Sequence, residues 1–332
     1  MDLRDLAAKI DNDTFGQTYY LIDSDYRTAQ AQGWSQSDGT GPLNLLDQRR
    51  PGRAFMTPGG SISTPYATDA AAMQGAIDAC VDFRGDKVYL TPGSYTPATA
   101  LSFDVPNMRW MGPNVRHPKQ ARVTVTAGID AIYSLTAAAD DVEIAHHRII
   151  PITAKNVIDI TAAANRGYLH DLFYDATGIT GSTSTEFCNG AASDDWLVER
   201  CAFYVDAAQG DAFTLASPVR WTWQDNDFYV GLTGIAWASV FTFATSALGL
   251  VMRRNLFRGC GGATPAVFTN IVTGVANVNG QLMFYDNYID GTALATASGI
   301  ETTFGTLTDI EVANNYQSGD AAGEGGVLIA LG

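Results

Sequence analysis

Trp221-Thr-Trp223-Gln-Asp-Asn226-Asp-Phe228, Leu250-Val-Met252-Arg-Arg-Asn255-Leu-Phe257 and Leu282-Met-Phe284-Tyr-Asp-Asn287-Tyr-Ile289 are three copies of one unit, and they decide the fold. Each is an alternating strand followed by a small polar residue and, two positions on, an aromatic or aliphatic one. The unit extends outward to Tyr168-Leu-His-Asp171-Leu-Phe173, Leu197-Val-Glu-Arg-Cys201-Ala-Phe203 and Ile310-Glu-Val312-Ala-Asn314-Asn-Tyr316. Its polar positions Asp171, Cys201, Asn226, Asn255, Asn287 and Asn314 are separated by 30, 25, 29, 32 and 27 residues. That period fits one solenoid coil with loops of varied length. A second strand follows in each unit, as in Asn156-Val-Ile-Asp-Ile-Thr161, Asp211-Ala-Phe-Thr-Leu215 and Gly299-Ile-Glu-Thr302.

Asparagine suits the end of the strand for two reasons. Its amide both donates and accepts, so equivalent side chains about 4.8 Å apart along a stack form a ladder. It also tolerates the left-handed backbone of a sharp corner. A stack must also close its ends. From Thr68 or Asp69 as N-cap, Met73, Ala76, Ile77, Cys80 and Val81 fall on one face of a helix, which predicts a capping helix over about 68–83. Gly75 weakens that helix by about 1 kcal/mol relative to alanine, so packing must hold it. At the other terminus, Val327-Leu-Ile-Ala-Leu331 is expected to be covered by a loop or buried against another chain, the second being the favoured expectation.

The formal charge is −15 with four lysines, which argues against a nucleic-acid partner. Cys80, Cys188, Cys201 and Cys260 have neither zinc-site pairing nor disulfide density, and read as buried thiols. Met1 to Phe15 has no apolar core, so no secretory signal is expected. Phe228 to Met252 is uncharged and long enough to span a bilayer, but its Gly, Ser and Thr residues mark turns. Two buried strands, and no membrane span, are predicted there.

Residues Thr68 to Pro113 resemble the start of pectate-lyase-like β-helices. The resemblance is carried by Asp69-Ala-Ala-Ala-Met-Gln-Gly-Ala-Ile-Asp-Ala79, Asp86-Lys-Val-Tyr-Leu-Thr-Pro-Gly-Ser-Tyr95, Leu101-Ser-Phe-Asp-Val-Pro and Arg109-Trp-Met-Gly112. It implies an all-β right-handed parallel β-helix, with a domain over 67–332 preceded by an extended arm over 1–66. Within the arm, Tyr19-Tyr-Leu-Ile-Asp-Ser-Asp-Tyr-Arg-Thr28 and Gly33-Trp-Ser-Gln-Ser-Asp-Gly-Thr-Gly-Pro42 resemble the lead segments of phage structural β-helix proteins. Tailspikes, polysaccharide lyases, hydrolases and inert virion components share this architecture, so it specifies no reaction.

Enzymes of this group use paired carboxylates, or Ca²⁺ with an Arg or Lys base, along one face. The candidates here are Asp194, Asp195, Asp225 and Asp227, with Glu199 and Asp286 nearby; Asp225 and Asp227 flank Asn226 and are expected to share one face. The Gly-His-Gly and Arg-x-Lys pattern of the polygalacturonase-like group is absent. So are a Ser-His-Asp set, a P-loop and a dinucleotide fingerprint. His146 and His147 are adjacent in a strand and point to opposite faces, so they cannot chelate one metal together. Trp196, Trp221, Trp223 and Trp237, with Tyr204 and Tyr229, either stack in the core or, where exposed, meet sugar rings or a partner. The expectation is a phage virion structural protein, a capsid decoration or spike made in the host cytoplasm without cofactor or metal and leaning away from an enzyme. A tailspike-like depolymerase or host-glycan adhesin is the alternative. Expected partners are other virion proteins, a host surface glycan and copies of the chain itself, a trimer by resemblance. Arg49, Arg50 and Arg53 are the expected docking residues in an otherwise acidic chain.

Overall fold

The computed structural model describes residues 17–22, 54–56, 66–90, 93–113, 121–125, 128–152, 156–176, 186–205, 211–230, 235–245, 247–259, 267–274, 281–290, 300–302, 309–318 and 329–331. Their strands form three long sheets of 11, 9 and 9 strands and one short two-stranded sheet. One coil shows how the chain visits them. Tyr168–His170 lies in the first sheet, Phe173–Ala176 in the second and Glu186–Gly190 in the third. Ser193–Asp194 joins the short sheet, and Leu197–Glu199 returns to pair in parallel with Tyr168–His170. This is a right-handed parallel β-helix, the expected fold.

Alternation along each strand fills the interior. In the first sheet Ile144, Leu169, Val198, Trp223, Met252 and Phe284 form one inward column, every member buried. In the second sheet Phe203, Phe228 and Phe257 stack at centroid separations of 4.7 and 5.1 Å, nearly coplanar at 9° and 7°. Offset aromatic faces repeat at the strand spacing, so each ring packs on the one before it. Trp196 and Trp221 stack at 5.1 Å, and their indole N–H groups donate to the carbonyls of Ala164 and Ser193. Gly167 leaves room for this pair, since a Cβ there would stand 2.4 Å from the Trp196 ring.

The asparagine ladder is present, one residue out of phase with the sequence expectation at both ends. Asn226, Asn255 and Asn287 are buried and Asn315 is half-buried. Each Nδ2 donates to a carbonyl of the preceding coil, namely Val198, Trp223, Met252 and Phe284, at 2.9–3.0 Å. Each of the first three also donates to the next asparagine's Oδ1 at 3.0–3.1 Å. Cys201 begins the column as a backbone donor to Asn226 Oδ1. Asn314 and Asp171, expected in the ladder, belong instead to the column before it, where the chain turns with φ of 55° and 50°. Leu172 takes the ladder position one coil before Cys201, next to Phe173, which pairs with Ala202.

That turning column reads His146, Asp171, Arg200, Asp225, Arg254, Asp286 and Asn314, all left-handed. A matching column enters the first sheet through Asn107, Asp141, Arg166, Asp195, Arg220 and Gly249. Left-handed backbone costs a non-glycine residue roughly 1–2 kcal/mol. Hydrogen bonds between coils offset it, for each corner N–H from Asp171 to Asp286 donates to a carbonyl one coil on. Acid and arginine also alternate up both columns, so neighbouring coils present opposite charges.

The helix spans Asp69–Asp78, with Thr68 Oγ1 accepting from the Ala71 N–H as N-cap. It ends before the expected 83, so Val81 leaves the buried face and is 48% exposed. At Gly75 the Tyr66 side chain lies against the helix, its hydroxyl 2.4 Å from where a Cβ would stand. Gln74 pairs in both directions with the Ser102 backbone, which satisfies the edge strand Leu101–Phe103. Within 1–66, Thr18–Ile22 runs parallel to Lys87–Leu90, and Ala54–Met56 pairs antiparallel to it. Cys80, Cys188 and Cys201 are buried free thiols. No described helix is long and apolar enough to cross a membrane, and the uncharged segment contributes the strand Ile235–Phe243 to the third sheet.

Candidate functional site

The structure divides the four candidate carboxylates among three arginines, with Asp194 and Asp195 sharing one. Asp195, on the entering corner, accepts from Arg220 Nε at 2.5 Å and Nη2 at 2.8 Å, and Asp194 lies 3.6 Å from the same guanidinium. Asp225, on the leaving corner, is clamped by Arg254 through two bonds of 2.8 Å. Asp227 begins a strand of the second sheet and is held by Arg258, with Nε at 2.9 Å. Asp225 and Asp227 thus point outward from either side of a corner, toward different arginines, and form no acid–base pair. Arg220 and Arg254 respectively hold the Asp195 and Asp225 carboxyls below their ordinary range. The predicted docking residues Arg49, Arg50 and Arg53 lie outside the described residues.

A different group converges on the outer face of the first sheet. His170 Nε2 meets Glu143 Oε1 at 2.8 Å and its Nδ1 meets Asp171 Oδ2 at 2.7 Å. Burial opposes protonation of His170, but the two carboxylates outweigh it and raise its pKa. The same imidazole holds the Glu143 carboxyl low. Tyr168 stacks on His170 at 4.1 Å, and its hydroxyl donates to Glu199. Glu199 also accepts from Arg200 and from Gln224, the latter at 2.5 Å. Arg253 continues the chain, donating to Gln224 at 2.8 Å and to the Tyr285 hydroxyl at 3.1 Å. One polar network therefore crosses six successive coils, from Glu143 to Tyr285. His146 and His147 lie not in the expected strand but in the corner between Glu143–Ala145 and Arg148–Pro151, where His146 has φ of 61° and His147 turns inward to Tyr133 and Ala145.

The outer face of the second sheet has another character. The Arg148 guanidinium lies 5.2 Å from the Phe173 centroid, and Phe173 meets Tyr204 edge-on at 5.1 Å. Tyr204 and Tyr229 are 5.0 Å apart, and Arg258 covers them at 5.9 and 5.2 Å. Further along, Tyr288 and Tyr316 stack at 5.3 Å and are 38% and 62% exposed. The result is a stripe of aromatic and guanidinium faces running along the stack.

Of the aromatic residues singled out from sequence, Trp196, Trp221 and Trp223 are core. The backbone of Trp237 lies in the strand Ile235–Phe243. Tyr204 and Tyr229 are half-buried members of the stripe. Sequence reasoning missed Phe173, Arg258, Tyr288 and Tyr316 as stripe members. They follow the ladder by one to three positions, so the repeat held the signal once its phase was known.

The three-sheet coil, the capping helix and the two outer faces define a parallel β-helix protein of the pectate-lyase-like architecture. No family model matches the chain, and no curated protein matches it. Among solved structures it is similar to the A-module of the mannuronan C-5 epimerase AlgE6 of Azotobacter vinelandii, with 15% identity and a TM-score of 0.49 over 76% of this chain and 73% of that one. It is also similar to pectin methylesterase PemA from Erwinia chrysanthemi, with 10% identity and a TM-score of 0.42 over 70% and 77%. At these values the likeness carries no argument about activity.

Proposed function

We propose that this chain is a non-catalytic, glycan-binding β-helix displayed on the exterior of a virion. The aromatic stripe of the second sheet carries the reading. Aromatic faces stack on the apolar faces of sugar rings, and guanidinium groups beside them donate to hydroxyls or acidic substituents. A polysaccharide lying along the axis meets a new coil about every 4.8 Å, close to the length of one pyranose unit. The arginines that clamp Asp195 and Asp225 hold both carboxyls low, which supports binding over cleavage, because a general acid needs a proton at working pH. The virion setting rests on the resemblance of Tyr19–Thr28 and Gly33–Pro42 to the lead segments of phage structural β-helix proteins, and the trimer belongs to the same reading.

The test incubates the purified full chain with host capsular polysaccharide or lipopolysaccharide and follows binding by calorimetry and product by reducing-end and uronate assays. Binding without product is expected. Tyr204→Ala and Tyr229→Ala, on the outside of the coil, should each weaken it about tenfold, the equivalent of about 1.4 kcal/mol. Released oligosaccharides would make the protein a depolymerase. No affinity for any host glycan, together with stoichiometric recovery in particles, would leave a purely structural decoration.

A further inference from the structure

His146, His170 and Asp171 sit where the first sheet turns toward the second, and each offers one ligand atom within 4.8 Å of the others. We propose that these three residues form a binding site for one Zn²⁺-class divalent metal ion. This site is independent of the aromatic stripe and of the glycan reading.

The chemistry of the donor set comes first. Two imidazoles and one carboxylate are ligands that zinc and its neighbours bind at about 2.0–2.2 Å, and three protein ligands leave a position open for water or a bound group. A site of this type needs an outer partner to orient its histidine. Glu143 supplies one: its Oε1 stands 2.8 Å from His170 Nε2, which leaves Nδ1 facing Asp171 Oδ2 at 2.7 Å. His146 approaches from the previous coil, its ring 4.9 Å from that of His170 and nearly perpendicular at 87°.

The backbone prepares the same arrangement. His146 and Asp171 occupy successive left-handed corners with φ of 61° and 50°. The sheet register between Ala145 and His170 fixes the height of one corner over the other. The His170 side chain is only 7% exposed, so folding has already removed most of its water. Arg200 is the competitor, with Nη2 3.0 Å from Asp171 Oδ2 and 3.5 Å from His170 Nδ1. Its side chain is 46% exposed and already holds a second carboxylate, Glu199, so it can yield Asp171 without losing its charge partner.

Sequence adjacency pointed to the wrong pair. His146 and His147 diverge, whereas His146 and His170, 24 residues apart, converge because one coil separates them. The test titrates Zn²⁺ into the untagged, metal-stripped full chain by calorimetry, and Co²⁺ in parallel by visible absorption. One ion per chain is expected at micromolar affinity or better, with cobalt bands of a nitrogen- and oxygen-ligated ion. His146→Asn keeps a residue that tolerates the left-handed corner and should weaken binding at least 100-fold. Glu143→Gln should weaken it 10–100-fold, the range for an outer partner. Arg200→Gln should tighten it. Absence of one-to-one binding by the unsubstituted chain would overturn the proposal, as would affinity and cobalt spectrum unchanged in a folded His146→Asn variant.

Discussion

Single residues in this protein are governed by which way they leave the coil. Glu186 begins a strand of the third sheet, and burial, reinforced by Asp211 and Asp159, pushes its carboxyl up to about 7. The folded state then holds a proton that the unfolded chain releases at an ordinary carboxylate pKa, so stability is fully present below that value and falls as pH rises through about 7. Glu186→Gln should therefore stabilise the protein at about pH 8 and change little at about pH 4, read from urea midpoints at the two pH values. Equal effects at both would show that Glu186 is ionised in the folded state. None of this was visible in the sequence, where Glu186 is one acid among 35 acidic residues. Only the coil brings Asp159 and Asp211 to its side.

At the scale of the element, the asparagine ladder and the charged corners are adjacent columns with different work. A ladder asparagine is buried and bonded to the coils on both sides, whereas the corner residue before it is exposed and selected for left-handed backbone. Asn255→Ala would strand the Asn226 backbone N–H, its Nδ2 and the Trp223 carbonyl, and should cost at least about 3 kcal/mol. Asn314→Ala should cost only about 1–2 kcal/mol, for left-handed backbone without a side-chain bond. Chemical denaturation compares the two, and equal costs would count against the separation of roles. The repeat made the ladder legible at Asn226, Asn255 and Asn287. It misled at Asn314-Asn315, where both columns hold asparagine, and at Asp171-Leu172, where the ladder position is apolar.

Across the whole molecule each coil touches mainly the coil before and after it, so damage travels one step along the stack. Phe228 lies between Phe203 and Phe257, and Phe228→Ala should cost about 3–5 kcal/mol. Hydrogen exchange should quicken in 198–205 and 250–257 while 101–135 keeps its protection; uniform quickening would mean that the stack unfolds as one unit. By itself the sequence determined that the chain winds, roughly how many residues each turn takes, which strand faces turn inward and that asparagine recurs beside the corner. These follow from strand alternation and from a repeat that every coil must satisfy. Tertiary structure alone decided the two outer faces. Loops make successive polar positions 25–32 residues apart, so which exposed side chains meet depends on the stacking register, and no local pattern records it. Glu143, His146, His170 and Asp171 become neighbours only when one corner is set upon the next.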